Sequence, residues 1–485
     1  MIDLAPLLAP ASIAVVGAST DSGKVGGMPI RLLRSNGFPG AIYPVHRTAA
    51  EIQGLPAYRS VADIGRPVDL AIVAVPADAC LATLDQLIEA RVRAAVVFTS
   101  GFAETGAAGA ALQATLADGA ARHGIALLGP NCLGAMNLRR SVYATFSPVA
   151  LDGAPPPGDV ALVSQSGAFG GYAFALARRS GLGLSSWITT GNEAGVQVAD
   201  AIRWLVDDDD TRVVLGYVEG ARDLPRFEAA LDAARAAGKP VALVKVGTTP
   251  AGARAARLHT GSDTGDDAAW NRLFDAYGVH RVPTLTALLR LGTVLSRGRR
   301  PRFSDTSRLT DDGPSRQASI PIAILTISGG VGIVMADRAA VHGLTMPPLP
   351  AGPAAALVAA VPFACTENPI DLTGQVFAKA DVLIATLHEV ARCGTYGYAV
   401  VFLAAAGRVP GLWVRIQSSI LALIAEPDAA PLLFCGVFDD VQRDWLVAQG
   451  CLVFEEPTDA IDAVAALSGA GPHGDLRRGH AGTVP

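Results

Sequence analysis

Apolar residues fall into short runs along the first third of the chain, and each run is followed by a small-residue turn or a stretch of helical spacing. The runs at 12–17, 40–45, 68–75, 94–98 and 125–128 predict five short strands. Between them, 81–91 and 110–123 carry helical spacing. Strands that alternate with helices call for a parallel sheet with helices on both faces. The proline cluster at 153–158 interrupts this pattern, which then restarts: a strand at 159–163, the turn Ser164-Gln-Ser-Gly167, a helix through Arg179, and strands at 185–189, 213–218 and 241–246. A second break, 297–319, is charged and rich in Pro, Ser and Thr, which predicts a linker. The pattern restarts once more with a strand at 320–327, the turn Ser328-Gly-Gly-Val-Gly332 and a helix. The second and third segments read as rough copies of each other.

The fold expected is therefore α/β, with an N-terminal Rossmann-like unit (1–150) and two flavodoxin-like parallel-sheet units (158–296 and 320–468). The tail, 469–485, is expected to be disordered. At 485 residues the chain has room for three domains of about 150 residues each. Half of its residues are apolar and 17% are charged, enough apolar material for several cores. A net charge of -5 with no basic face argues against nucleic acid as a main partner. Six scattered cysteines without a C-x-x-C pair predict reduced, mostly buried thiols in a cytoplasmic protein. The early acid at Asp3 and the lack of a basic start argue against a secretory signal, and no apolar run reaches the roughly 18 residues of a membrane span.

Chemistry concentrates in the turns. The first strand opens into Gly17-Ala-Ser-Thr-Asp-Ser-Gly-Lys-Val-Gly-Gly27, a Rossmann-type turn without strict G-x-G-x-x-G spacing. No acid closes the second strand, where His46-Arg47 follows Val45; a positive residue there favours a phosphate-bearing nucleotide over NAD. Ser164, Gln165, Ser166 and Gly167 place hydroxyls and backbone N–H groups at a helix start, which suits phosphate; an N-cap with glycine for close packing is the other reading. The Ser328 turn carries the same two readings. Glu219 ends a strand, and His259 lies in a Gly-, Ala- and Thr-rich stretch after the buried strand 240–246, read as a flexible loop without periodicity. A carboxylate against one imidazole nitrogen fixes the tautomer and raises the basicity of the other, which prepares a histidine to attack phosphorus. The alternative is a turn-capping Glu and a satisfied loop His. Lys24 and Lys245 are candidates for phosphate contacts, and Asp207–Asp210 reads as a solvated turn rather than a metal site.

Taken in order, Val16-Gly-Ala-Ser-Thr with Gly23-Lys-Val-Gly-Gly27, Ser100-Gly-Phe-Ala-Glu-Thr-Gly106, Gly129-Pro-Asn-Cys-Leu-Gly134, Ser164-Gln-Ser-Gly-Ala168, Gly191-Asn-Glu-Ala194, Tyr217-Val-Glu-Gly220, His259-Thr-Gly261 and Asn368-Pro-Ile-Asp371 resemble the NDP-forming acyl-CoA synthetases. That superfamily includes ADP-forming acetyl-CoA synthetase and succinyl-CoA synthetase. The resemblance implies a CoA-binding first domain, with Gly17, Ser19, Thr20, Lys24, Gly26 and Arg47 near the CoA nucleotide. Thr99, Ser100 and Gly101 would line the pantetheine path, and Asn131 would stand near the thioester. It implies that His259 carries phosphate, that Glu219 steadies it, and that Ser164–Gly167 cradles the phosphohistidine. ATP or ADP and Mg²⁺ would be held by a separate ATP-grasp β-type subunit, giving a hetero-oligomer, with a homodimer as the alternative, acting on a small carboxylic acid. The chain departs from the family pattern at Val45-His-Arg47, Leu258, Asp263-Thr-Gly265 and Gly195. A second reading is a CoA- or acyl-CoA-binding regulatory protein without phosphoryl transfer; an NAD-dependent oxidoreductase is a third, opposed by the missing acid after the second strand.

Overall fold

The computed structural model describes residues 2–260, 264–298, 320–373, 380–405 and 409–468. The expected linker beyond residue 298 and the expected tail from 469 lie outside them. The chain forms two compact units, Met1–Gly292 and Thr293–Pro485.

In the first unit the apolar runs become β1 (Ser12–Val16), β2 (Ala41–Val45), β5 (Leu70–Val73), β6 (Ala94–Val97) and β7 (Ala126–Leu128), with a small hairpin of β3 (Glu51–Ile52) and β4 (Leu55–Pro56) beside them. The five longer strands make a parallel sheet in the order β2-β1-β5-β6-β7. Residues such as Ile13, Ala14, Val15, Leu70, Ala71 and Ile72 are fully buried, so both faces of the sheet are covered. The expected helices appear as Cys80–Glu89 and Ala107–Arg122.

The second sheet takes in more chain than its apolar runs predict. β8 (Gly134–Asn137) and β9 (Val142–Thr145) form an antiparallel hairpin, and β8 pairs with β11 (Leu184–Thr189). Together with β10 (Pro157–Ser164), β12 (Val213–Val218), β13 (Val241–Lys245) and β14 (His280–Arg281), the order is β14-β13-β12-β10-β11-β8-β9. The changeover between sheets therefore falls between β7 and β8, ahead of the boundary expected at 150. The proline cluster leads from a loop into the first residues of β10, inside the second sheet. Its core includes the fully buried Trp187, whose Nε1 donates to the Gly170 carbonyl at 2.8 Å across the helix Gly167–Arg179.

The second unit repeats the scheme with β15 (Ile322–Thr326), β16 (Ile370–Asp371), β17 (Tyr398–Ala404), β18 (Leu432–Gly436) and β19 (Leu452–Phe454), parallel in the order β16-β15-β17-β18-β19. The resemblance between the copies extends to hydrogen bonds. Ser164 Oγ donates to the Ser166 carbonyl at 2.7 Å, and Thr326 Oγ1 donates to the Ser328 carbonyl at 2.9 Å. Each closes the turn that leads into a helix, Gly167–Arg179 and Gly329–Val341.

Candidate functional site

In each sheet one strand has its sequence successors on opposite sides: β1 between β2 and β5, β10 between β11 and β12, β15 between β16 and β17. Successive connections diverge there and leave a crevice at the carboxyl ends of the strands, where open α/β sheets take their ligands. The three turns singled out in the sequence, beginning at Gly17, Ser164 and Ser328, follow these three strands.

The first turn is held by backbone. Gly17 has φ +83°, and a Cβ there would lie 2.4 Å from the Ala74 carbonyl oxygen; one on Gly26 would lie 2.0 Å from the Gly17 carbonyl oxygen. Such closeness leaves glycine as the residue that fits. Ser19 Oγ accepts from Asp21 N at 3.1 Å, and Gln53 Nε2 donates to the carbonyls of Ser19 and Gly27. Thr20, Lys24 and Arg47 are exposed. His46 Nδ1 accepts from the amides of Thr48 and Ala49, so the ring caps the loop after β2 and leaves Arg47 as the cation beyond the second strand.

The second turn carries more buried polarity. Ser166 caps the helix Gly167–Arg179 by accepting from Phe169 N at 3.3 Å. Gln165 is filled from within: Nε2 donates to Glu193 Oε2 at 2.9 Å and to the Gly220 carbonyl at 2.8 Å, while Oε1 accepts from Glu219 N at 2.5 Å and Gly220 N at 3.3 Å. Glu219 is buried, one residue past the pair Val218 and Lys245 that ends the β12–β13 ladder. Burial first, and then the Glu219 charge, push the neighbouring Tyr217 phenol up to about 12. Lys245 is no surface lysine. It is buried at the end of β13, donates from Nζ to the Val246 carbonyl at 2.6 Å and lies 5.0 Å from the Trp270 ring centroid.

The stretch expected as a loop is instead the helix Pro250–Thr260, which contains His259. Pro250 suits a first helical position, and Ala253, Arg254, Ala255, Ala256, Arg257 and Leu258 are strong helix formers. The side chains of Leu258 and His259, and the whole of Asp263, lie outside what the structure describes. The helix packs beside the turn Ala103–Thr105 of the first sheet, within the Ser100–Gly106 motif.

A polar network joins the two sheets at that place. Glu104 accepts from the amides of Gly101 (2.6 Å) and Phe102 (3.2 Å) through Oε1, and from Asn192 Nδ2 (2.5 Å) through Oε2. Asn192 Nδ2 also reaches Gln113 Oε1 at 2.9 Å, and its Oδ1 accepts from Asn131 Nδ2 at 3.2 Å. Asn131 has φ +58° and follows Pro130, whose carbonyl accepts from Asn192 N at 2.9 Å. Thr99 Oγ1 donates to the Val75 carbonyl at 2.5 Å, while Ser100 is exposed at the rim. A Cβ on Gly195 would stand 2.7 Å from the Leu127 carbonyl oxygen, which accounts for glycine at that departure.

Residues 11–137 match the CoA binding domain family, and residues 157–295 match the succinyl-CoA ligase like flavodoxin domain family. The chain is 32% identical over 384 residues to the Pyrococcus furiosus protein "Acetate--CoA ligase [ADP-forming] I subunit alpha", covering 78% of each. It belongs to the ADP-forming acid–CoA ligase family. To the Archaeoglobus fulgidus "Acetate--CoA ligase [ADP-forming] I" it is 37% identical over 341 residues, 70% of this chain and 46% of that one, so it spans less than half the length of that member. A solved structure of the Candidatus Korarchaeum cryptofilum acetyl-coenzyme A synthetase 1 in complex with phosphate and ADP superposes with a TM-score of 0.82 at 30% identity, over 97% of both chains.

Within the family frame, the structure brings Ser164–Gly167, Glu219 and Lys245 to the ends of three adjacent strands, β10, β12 and β13. Gly17–Gly26 and Arg47 lie at the carboxyl end of the first sheet instead. Sequence reasoning missed Glu104, Gln113, Asn192 and Glu193. Glu104, Asn192 and Glu193 stand inside motifs quoted for the resemblance, but nothing local reveals that they meet across sheets. Among the described residues no helix is long and apolar enough to cross a membrane, and no group of three His, Cys, Asp or Glu side chains is placed to hold a metal.

Proposed function

We propose that this chain is the α-type component of an ADP-forming acid–CoA ligase, working with a separate ATP-grasp subunit. The reaction interconverts acyl-CoA, phosphate and ADP with a carboxylic acid, CoA and ATP. Phosphate attacks the thioester carbonyl and CoA leaves as its thiol, giving an acyl phosphate. His259 then takes the phosphoryl group and releases the carboxylate, and ADP on the partner accepts the phosphoryl from the imidazole. The observation that carries this reading is the shared strand edge: Glu219 directly follows β12, Ser164–Gly167 runs from the last residue of β10 into the next helix, and the segment after β13 runs into the helix that contains His259, itself beside Ala103–Thr105 of the CoA-binding module.

The parts have distinct tasks. The Gly17–Gly27 turn, closed to any side chain at Gly17 and Gly26, offers a close backbone approach for the CoA nucleotide, with Lys24 and Arg47 as exposed cations for its phosphates. Thr99, Ser100 and Gly101 lead the pantetheine arm toward Asn131. At the second turn the amides of Gly167 and Ala168 begin a helix, with the positive end of its dipole toward an anion. Glu219 orients the imidazole and supports its charge when phosphorylated. A partner holding ADP and Mg²⁺ accords with the relative named as a subunit alpha. The test is reconstitution with an ATP-grasp subunit, following ATP formation from ADP, phosphate and a panel of acyl-CoA thioesters. Turnover by wild type and none by His259→Ala supports the proposal; CoA binding without turnover for any thioester supports the regulatory-protein reading.

A further inference from the structure

The half-buried Gln165 and the buried Glu193 form a polar pair whose hydrogen bonds all run inward. We infer that Gln165 is a positioning residue for Glu219, locked in one amide orientation by Glu193, and that it is not a ligand of the phosphoryl group. The inference rests on the reaction proposed above and deepens it.

An amide side chain owns two N–H hydrogens and one oxygen with two lone pairs. In Gln165 all four are committed: the hydrogens to Glu193 Oε2 and the Gly220 carbonyl, the lone pairs to the amides of Glu219 and Gly220. No donor is left for an anion. The backbone joins in, because Gln165 N donates to the Tyr217 carbonyl at 3.2 Å. One residue thus grips the end of β12 at 217, 219 and 220, so the peptide that carries the Glu219 carboxylate cannot drift from the β10 turn.

Glu193 decides which way the amide faces. Flipping Gln165 would set its N–H groups against those of Glu219 and Gly220, and its oxygen against a carboxylate and a carbonyl. Glu193 itself is pinned: Oε1 accepts from Val198 N at 2.8 Å and Thr190 Oγ1 at 3.0 Å, and the residue is only 5% exposed. Burial raises its pKa, opposed by the hydrogen bonds from Val198, Gln165 and Thr190 and by the charge of Arg222. The phosphoryl group is left the amides at the start of the helix Gly167–Arg179, not the Gln165 side chain.

The test uses the full chain with its ATP-grasp partner, acetyl-CoA and radiolabelled inorganic phosphate. Gln165→Glu keeps the shape but turns both donors into acceptors facing Glu193 and Gly220. We expect the maximal rate of histidine labelling to fall about 100-fold, as a displaced catalytic group requires, with KM for phosphate within about twofold of wild type. Pairing it with Glu193→Gln, which supplies an amide donor from the other side, should return about tenfold of that loss. A raised KM at an unchanged rate, with no rescue by Glu193→Gln, overturns the inference and makes Gln165 a phosphate ligand. If wild type takes no label with acetyl-CoA or with any other thioester of the panel, the proposed reaction fails by itself. The positioning is then judged by the crystal structure of Gln165→Ala: a displaced Glu219–Gly220 peptide upholds it, and an unmoved one overturns it.

Discussion

Asn192 donates from Nδ2 to Oε2 of Glu104 at 2.5 Å, a bond between the loop after β11 and the loop after β6. It ties the two sheets of the first unit together beside the helix that contains His259. Asn192→Ala leaves Glu104 Oε2, Gln113 Oε1 and Asn131 Nδ2 without this partner. A loss of about 2 kcal/mol is expected, since a bond to an ionised group is broken; Gln113 Oε1 keeps its bond from Ala103 N and Asn131 is exposed, so neither adds much. Urea unfolding at neutral pH measures it; a stability equal to wild type refutes the network.

The same network sets a pH dependence. Burial pushes the Glu104 carboxyl upward, but the hydrogen bonds from Asn192, Gly101 and Phe102 outweigh it and hold the group below its ordinary value of 4.5. A depressed folded-state pKa means that the ionised form is favoured by folding. Its stabilisation is complete above the ordinary value and is lost as pH falls through the lower folded one. The stability gap between wild type and Glu104→Gln should therefore hold steady above pH 4.5 and close under stronger acid. A gap that does not change with pH would show that the Glu104 charge contributes nothing.

Glycine at 26 is demanded by contact. Gly26→Ala drives a Cβ to 2.0 Å from the Gly17 carbonyl oxygen, whereas Gly23→Ala meets only the Asp21 carboxylate at 3.3 Å. The first should cost about 1–3 kcal/mol, the usual cost of overpacking, and weaken CoA binding measured by calorimetry. The second should unfold at the wild-type midpoint. Equal effects from both would mean that the turn relaxes freely.

Much of this architecture is legible before any coordinates. Fully buried parallel strands announce themselves as short apolar runs, so β1, β5, β6, β10, β12, β13 and β15 lie where the pattern puts them. The β8–β9 hairpin escapes because Gly134-Ala-Met-Asn137 has neither a run nor an alternation, and its place is set by pairing with β11. The helix Pro250–Thr260 had its signals, but its glycine and threonine neighbours suggested a loop. The polar network is hidden for a different reason. Glu104 and Asn192 stand 88 residues apart, and only the packing of two sheets brings them together.

In the proposed reaction His259 carries a phosphoryl group between the thioester and the nucleotide. Radiolabelled phosphate, acyl-CoA and the full chain reconstituted with an ATP-grasp subunit should give a protein-bound label that is lost in acid, stable in base and discharged by ADP. Label on wild type and none on His259→Ala is the predicted result; label that persists in His259→Ala, or turnover without any labelled protein, would contradict it.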